Sequence, residues 1–338
     1  MALLLIEGFD QYASDGEILA GGWSGDVAGF STAATGRNGR GINVNASGSY
    51  LSRFITPSSA TFVFGFAVEF VNSVAANTDV INLFDSSGTE KITLRWLSGG
   101  TFHLDRGSTS LGSFSFTAVM ATWYFIEIKV TLHDSTGAFE VWIDGDSKMS
   151  GSGVDTLNGT EASIANVRLV GNSIIDWRFD DIYFLDNTGS DNTDRLGDVR
   201  VETVSPNADG TTNDFTRISG SANYEMVDDI ADPDDDTTYN HSSTASDKEL
   251  YGFAALTGDV GTVFGVQVSV LARKEDPGAR DLRLVARSSA TEVQSGNKQV
   301  GTEYTRYINH IYENDPNGGI DWTETSVNAA EFGFLIQA

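Results

Sequence analysis

The 338-residue sequence contains no cysteine, which excludes a disulfide framework, a thiol nucleophile and a thiolate metal site and leaves the redox compartment open. Proline is scarce at 5 residues, and histidine scarcer at 4. The histidines, at positions 103, 133, 241 and 310, show no close spacing, so a histidine-based metal site or a Ser-His-Asp triad has little support. Basic residues are few: 21 Lys and Arg face 47 Asp and Glu, for a net charge of -26. Nucleic acid is a poor partner for such a field. Divided at residue 190, the two parts carry 10 basic against 21 acidic residues and 11 against 26, so both are acidic, and solubility is the first reading of that charge.

Helical heptads, a repeat of fixed period and a glycine loop opening a helix are also missing, which removes coiled-coil, solenoid and phosphate-cradling readings. Long apolar runs are lacking. The opening stretch to Ile6 has no basic leader and meets Glu7 at once. We therefore expect neither a signal peptide nor membrane insertion, and an extracellular role would need release by lysis.

What the chain does have is alternation at period two. Phe62, Phe64, Phe66, Val68 and Phe70 recur at every second position, as do Tyr124, Ile126, Ile128, Val130 and Leu132, then Phe139, Val141 and Ile143, then Val167 and Leu169. A strand throws successive side chains to opposite faces, so these runs read as sheets with one buried face. The 36 glycines suit many tight turns, legible at Asp85 to Gly88, Ser98 to Gly100, His133 to Gly137 and Asp144-Gly145. The expected fold is all-β, with two jelly-roll-like β-sandwich domains in tandem.

The polar, aperiodic segment from Asp186 to Gly197 marks the boundary. Residues 1–187 form the first sandwich, 188–197 a linker and 198–338 the second β unit. In the second, Phe264, Val266, Val268 and Val270 alternate with polar residues. The turn sequence Asp276-Pro277-Gly278 predicts a hairpin joining that strand to Leu282, Leu284 and Ala286. Further strands are expected from Tyr304 to Tyr312 and from Phe332 to Gln337, with one helical turn near Ser326 to Ala330.

Four segments carry a resemblance: Ile6-Glu-Gly-Phe-Asp10, Trp123-Tyr-Phe-Ile-Glu-Ile-Lys129, Phe139-Glu-Val-Trp-Ile-Asp-Gly145 and Trp177-Arg-Phe-Asp-Asp-Ile-Tyr-Phe184. Together they resemble the concanavalin A-like or laminin-G-like jelly roll found in structural proteins of tailed bacteriophages. The second part is similar to a module of phage virion proteins around Asn223 to Val227, Asp234 to Tyr239, Tyr251 to Phe253, Val266 to Val268, Ala272 to Lys274 and Trp322 to Phe334. The resemblance implies a non-enzymatic virion protein, a fibre, spike or decoration component of head or tail, located on the particle. Its implied partners are other virion proteins and further copies of itself in a homo-oligomer, with host-surface polysaccharide as an additional contact.

Jelly rolls of this class also include glucanases, so the alternative is a polysaccharide-binding or polysaccharide-degrading module. A retaining glycosidase needs two carboxyl groups about 5 Å apart. Neither Glu127-Ile-Lys129 nor Glu140-Val-Trp142 supplies the E-x-D-x-E spacing of the laminarinase-like enzymes, and no catalytic residue is assigned. Glycan sites pair an exposed aromatic plane with polar groups, which nominates Trp96 and Trp142. No cofactor is expected, with Ca2+ as the one alternative at acidic clusters. Asp234, Asp235 and Asp236 close a run of six acids in Asp228 to Asp236, read as a solvated loop or a cation site. Asn207 to Asp214 resembles part of an EF-hand loop but lacks its closing Glu, and an Asx-rich turn is the simpler reading. At Asp180-Asp181, alternation turns one carboxylate inward, where it needs a hydrogen-bond partner or an ion.

Overall fold

The structure, a computed structural model, describes residues 2–25, 27–56, 59–258, 260–304 and 307–337. The chain divides into two compact units, Met1–Val201 and Glu202–Ala338, and both are built of antiparallel sheets. The all-β expectation holds.

In the first unit the strands run β1 (Leu3–Glu7), β2 (Trp23–Gly25), β3 (Phe30–Thr35), β4 (Arg40–Val44), β5 (Tyr50–Phe54), β6 (Thr61–Phe70), β7 (Thr78–Phe84), β8 (Glu90–Leu97), β9 (Thr101–Arg106), β10 (Thr109–Ser115), β11 (Trp123–Thr131), β12 (Gly137–Ile143), β13 (Asp146–Val154), β14 (Asn166–Val170) and β15 (Trp177–Asp186). One sheet has the order β13-β12-β11-β6-β15-β4-β3, with β1 also on β15, and the other β10-β9-β8-β7-β14-β5-β2. Their inner faces meet in an aromatic core, where the Phe70 ring on β6 lies edge-on to Trp96 on β8 at 5.0 Å and to Trp177 on β15 at 4.7 Å. Asp144 and Gly145 take φ of 52° and 81°, the paired positive values of a tight hairpin turn between β12 and β13. One short helix, α1 (Asp15–Ala20), is capped by the Ser14 side chain.

On β6 the residues between the phenylalanines, Val63, Ala67 and Glu69, are buried too, so the first sheet is covered on both sides. Part of that cover is the segment expected as a linker. Lys129 pairs with Asp194 at 2.8 Å, Arg195 with Glu127 at 2.7 Å, and the Leu196 and Gly197 amides donate to Tyr183 Oη and Glu127 Oε1. Residues 188–197 therefore belong to the first unit: a polar, aperiodic stretch reads as a linker, yet its charges and amides complete buried side chains.

The second unit has strands β16 (Pro206–Asn213), β17 (Thr216–Arg217), β18 (Asn240–His241), β19 (Lys248–Phe253), β20 (Val266–Leu271), β21 (Asp281–Ser288), β22 (Thr291–Gln294), β23 (Lys298–Gln299), β24 (Tyr307–Tyr312), β25 (Asn314–Asp315), β26 (Ile320–Asp321) and β27 (Glu331–Gln337). A sheet ordered β16-β19-β27-β21-β22, with β23 on β21, packs through Tyr251, Leu282, Leu284, Phe332 and Phe334 against the ribbon β20-β24, which contributes Val268, Ile308 and Tyr312. The predicted hairpin across Asp276-Pro277-Gly278 is corrected here. Asp276 does cap the Gly278 amide at 2.9 Å, but β20 pairs with β24, and β21 pairs with β27 and β22. The turn carries the chain from one layer to the other, so that the apolar faces of β20 and β21 meet across the core instead of lying in one sheet. The expected helical turn is α2 (Glu324–Ala329), fixed by a reciprocal Thr323–Ser326 capping box. Asn207 to Asp214 is not a cation loop, because most of it is strand β16, with Asp209 accepting from the Tyr224 amide and Asp214 from the Lys248 amide.

Candidate functional site

Neither nominated tryptophan is exposed. Trp96 is 1% exposed, because β8 turns Ile92, Leu94 and Trp96 inward together, and its Nε1 donates to the Val74 carbonyl at 2.9 Å. Trp142 is half-buried on the outer side of the first sheet, opposite Glu127. The Arg195 guanidinium covers its ring at 4.6 Å.

Asp180 and Asp181 are both buried, which strict alternation does not allow. The register of β15 against β6 shifts between Asp180 and Tyr183, and Asp181 takes a φ of 50°, the mark of a bulge. β4 pairs with residues 177–179 and β1 with 182–185, so the bulge falls in the gap between them. Asp180 accepts from the Arg37 and Asp181 amides, both at 2.7 Å. Asp181 accepts from the Val201 amide at 2.8 Å and pairs with Arg37 at 3.2 Å. Burial pushes both carboxyls up, Asp180 to about 8, while Arg37 and Arg200 hold Asp181 back. Burial likewise lifts Asp10, whose Oδ1 accepts from the Arg40 amide, to about 6.

The other acidic candidates point apart. Asp234 caps Thr238 through amide and hydroxyl, Asp235 is exposed at a φ of 52°, and Asp236 pairs with Arg273 at 2.8 Å. Among the described residues no group of three or more Asp, Glu or His side chains is placed to hold a metal ion. The Ca2+ readings at Asp180 and at Asp234, Asp235 and Asp236 are corrected accordingly: amides, a hydroxyl and an arginine supply the partners of Asp180, Asp234 and Asp236, and Asp235 is exposed.

What the fold does assemble lies on the outer face of the second sheet. Leu51, Leu169, Ile81, Leu94 and Leu104 are fully buried, so their neighbours along each strand face away from the core. In that register Ser24, Ser52, Arg168, Asn82, Thr93 and Asp105 stand side by side across six strands, Ser24 exposed, Arg168 half-buried and the other four buried beneath larger neighbours. At about 4.8 Å per strand this polar row is about 24 Å long. Aromatics flank it: Tyr50 stands beyond Ser52 on one side, and Phe54 and Phe84, both opposite Asn166, on the other. Tyr50 is 37% and Phe54 70% exposed.

The row is internally braced. Asn82 Nδ2 donates to Thr93 Oγ1 at 2.9 Å and to Asp79 Oδ2 at 3.1 Å, Asn166 Nδ2 donates to Ser52 Oγ at 2.8 Å, and Arg95 bridges Asp79 and Asp105 at 2.7 and 3.2 Å. Arg168 is sandwiched, its guanidinium 4.3 Å from the Tyr50 ring centroid and 4.1 Å from that of Phe84. Sequence reasoning missed this face. The signal was present in Tyr50-Leu-Ser-Arg-Phe54, where the one buried apolar residue, Leu51, turns Tyr50, Ser52 and Phe54 to the other face, and Tyr50 and Phe54 reach solvent there.

No protein-family model matches the sequence, and no curated protein does. Solved structures do. A sialidase is 13% identical over 54% of this chain and 18% of its own, with a TM-score of 0.40. The endo-β-1,4-glucuronan lyase of the fungus Trichoderma reesei is 10% identical over 54% of this chain and 94% of its own, with a TM-score of 0.39. An alginate lyase is 13% identical over 54% and 96%, with a TM-score of 0.40. The chain thus spans under a fifth of the sialidase and nearly all of each lyase. The names these structures carry are those of carbohydrate-processing enzymes, against the expectation of a non-enzymatic protein, which is withdrawn. The virion resemblance rests on the sequence motifs.

Proposed function

We propose that the first unit is a carbohydrate-active jelly-roll module and that the outer face of its second sheet, around Tyr50, Phe54, Phe84 and Arg168, is the surface that takes a polysaccharide. The observation that carries this reading is the pair of exposed aromatic side chains flanking a braced polar row. Sugar rings offer apolar C–H faces and a rim of hydroxyls, so they are recognised by aromatic planes beside fixed hydrogen-bonding groups. Asn82 with Thr93 and Ser52 with Asn166 form two buried hydrogen-bonded pairs beneath this surface, which hold the strands carrying Tyr50, Phe54, Phe84 and Arg168 in place and reduce the ordering cost of binding. An extended row across six strands suits a polymer better than a small ligand.

The test is affinity electrophoresis and calorimetry against a panel of soluble polysaccharides, with Phe54→Ala and Tyr50→Ala alongside the parent chain. Each substitution removes a contact of about 1.5 kcal/mol and is expected to weaken binding roughly tenfold. Reducing ends or unsaturated products appearing on incubation with a bound polymer would identify cleavage. A parent chain that binds no polysaccharide in the panel refutes the reading. The motifs shared with tailed-phage virion proteins suit such a module to a particle that contacts host polysaccharide, and the presence of the chain in purified particles tests that extension.

A further inference from the structure

Arg168 stands apart from the other arginines of the first unit. Arg37, Arg95, Arg106, Arg178, Arg195 and Arg200 pair with carboxylates, and Arg40 and Arg53 donate to backbone carbonyls. The Arg168 side chain has neither kind of partner among the described residues. Its recorded contacts are the two rings, and its Nε is buried without a hydrogen-bond partner. Two rings within 4.3 Å of the guanidinium carbon hold the group in place and shed water from it while leaving its N–H groups to be satisfied. A planar fork held that way matches one ligand geometry above others, a carboxylate approaching edge-on to form two parallel N–H···O bonds.

The charge distribution favours the same occupant. The chain carries -26 overall, yet the seven strands of the second sheet hold five basic residues, Arg53, Lys91, Arg95, Arg106 and Arg168, against three acidic ones, Asp79, Glu90 and Asp105. The eight strands of the first sheet hold four basic residues against eight acidic ones. Arg53 and Arg106 share the inward parity of Leu51 and Leu104, Lys91 is fully buried against Asp85, and Arg95 is shared between Asp79 and Asp105, so the cation of these strands that faces outward without a carboxylate is Arg168, where an anionic group is held best. We propose that the polymer taken by this face is an acidic polysaccharide, one that carries a carboxylate on its sugar units, and that Arg168 binds that carboxylate between Tyr50 and Phe84. The inference rests on the polysaccharide-binding reading above and sharpens it to a substrate class.

The experiment uses the full chain and three probes, polygalacturonate, polymannuronate and polyglucuronate, each beside a counterpart whose carboxyl groups have been reduced to neutral hydroxymethyl groups. The expected result is binding to at least one acidic polymer that weakens with added salt and falls about 10- to 100-fold on carboxyl reduction, the worth of a charge-assisted pair. Arg168→Gln is expected to cause a similar loss. Arg168→Lys keeps the stem and the charge but not the fork, so it too should lose most of the affinity while its melting temperature stays near that of the parent. Equal binding of acidic and reduced polymers, or full affinity in a folded Arg168→Lys chain, overturns the inference and leaves polysaccharide binding standing. Binding of neither form overturns both.

Discussion

The guanidinium of Arg195 lies 4.6 Å over the ring of Trp142 while the same side chain closes a 2.7 Å salt bridge to Glu127. One residue from a segment without regular structure thus covers an aromatic plane and neutralises a buried carboxylate. Glu127 is 1% exposed and also accepts from Tyr183 Oη at 2.5 Å and the Gly197 amide at 2.8 Å. Arg195→Ala leaves that carboxylate with its neutral donors alone, and the expected cost is about 2 kcal/mol. Urea unfolding checks it. A first unit ended at residue 187 loses all the contacts of this segment and should unfold at lower urea than one ended at 201. Equal midpoints would show that the segment adds nothing.

Asp180 sets the sign of a pH dependence. Burial raises its folded-state carboxyl to about 8, well above the unfolded value of about 3.9. Between those values the folded chain holds more protons than the unfolded one, so stability is fullest below about pH 4 and declines as pH rises towards 8. One such group contributes a slope of at most about 1.4 kcal/mol per pH unit. Asp10, lifted to about 6, adds to the lower part of that window. Asp180→Asn should flatten the fall in melting temperature between pH 6 and 8 relative to the parent. Parallel curves would show that Asp180 ionises in the folded chain as it does in the unfolded one.

A second buried charge works in the opposite direction. Lys91 is 0% exposed and pairs with Asp85 at 2.8 Å. Burial alone would raise the Asp85 carboxyl, but bonds from Lys91, Ser87 and the Thr89 amide bring it down to about 2. Its contribution is therefore present above about pH 4 and is lost as pH falls through 2. Lys91→Ala strands a buried carboxylate and is expected to cost about 3–5 kcal/mol, whereas Lys91→Met combined with Asp85→Asn, which removes both charges, should cost far less. Thermal unfolding at pH 7 separates the two outcomes.

Much of the architecture is legible in the sequence because one buried face imposes period two. Phe62 to Phe70, Tyr124 to Val130 and Phe139 to Ile143 lie on β6, β11 and β12 with the anticipated side inward. Asp144-Gly145 turns the following hairpin as its residue types require. What stayed hidden depends on contacts distant in sequence. The bulge at Asp181 falls where β4 and β1 leave a gap beside β15, and nothing within Trp177 to Phe184 records that gap. The exchange of partners by β20 reflects which layer Leu284 and Val268 bury between them, not the turn sequence joining the strands. For the candidate site, aromatic size drew attention to Trp96 and Trp142. Exposure, which decides whether a ring can meet a ligand, instead follows from Leu51 being the one buried apolar residue of a five-residue strand.

Gly65 shows how closely the covered side of the first sheet is packed. It stands opposite both Glu127 and Tyr183 in the register of β6 with β11 and β15. A Cβ built there would lie 2.1 Å from Tyr183 Cε1 and 2.6 Å from its Cζ, inside any tolerable contact. The ring lies flat over the glycine because its hydroxyl must reach Glu127 Oε1, so it cannot swing aside without breaking a buried charge-assisted bond. Gly65→Ala is therefore expected to destabilise the first unit by about 1–3 kcal/mol through overpacking, despite a strand's usual preference for alanine over glycine. The check is a double-mutant cycle with Tyr183→Ala. If the clash with the ring is the cause, Gly65→Ala should cost little once the ring is gone, giving a coupling energy of at least 1 kcal/mol. Additive costs would assign the loss to the backbone instead.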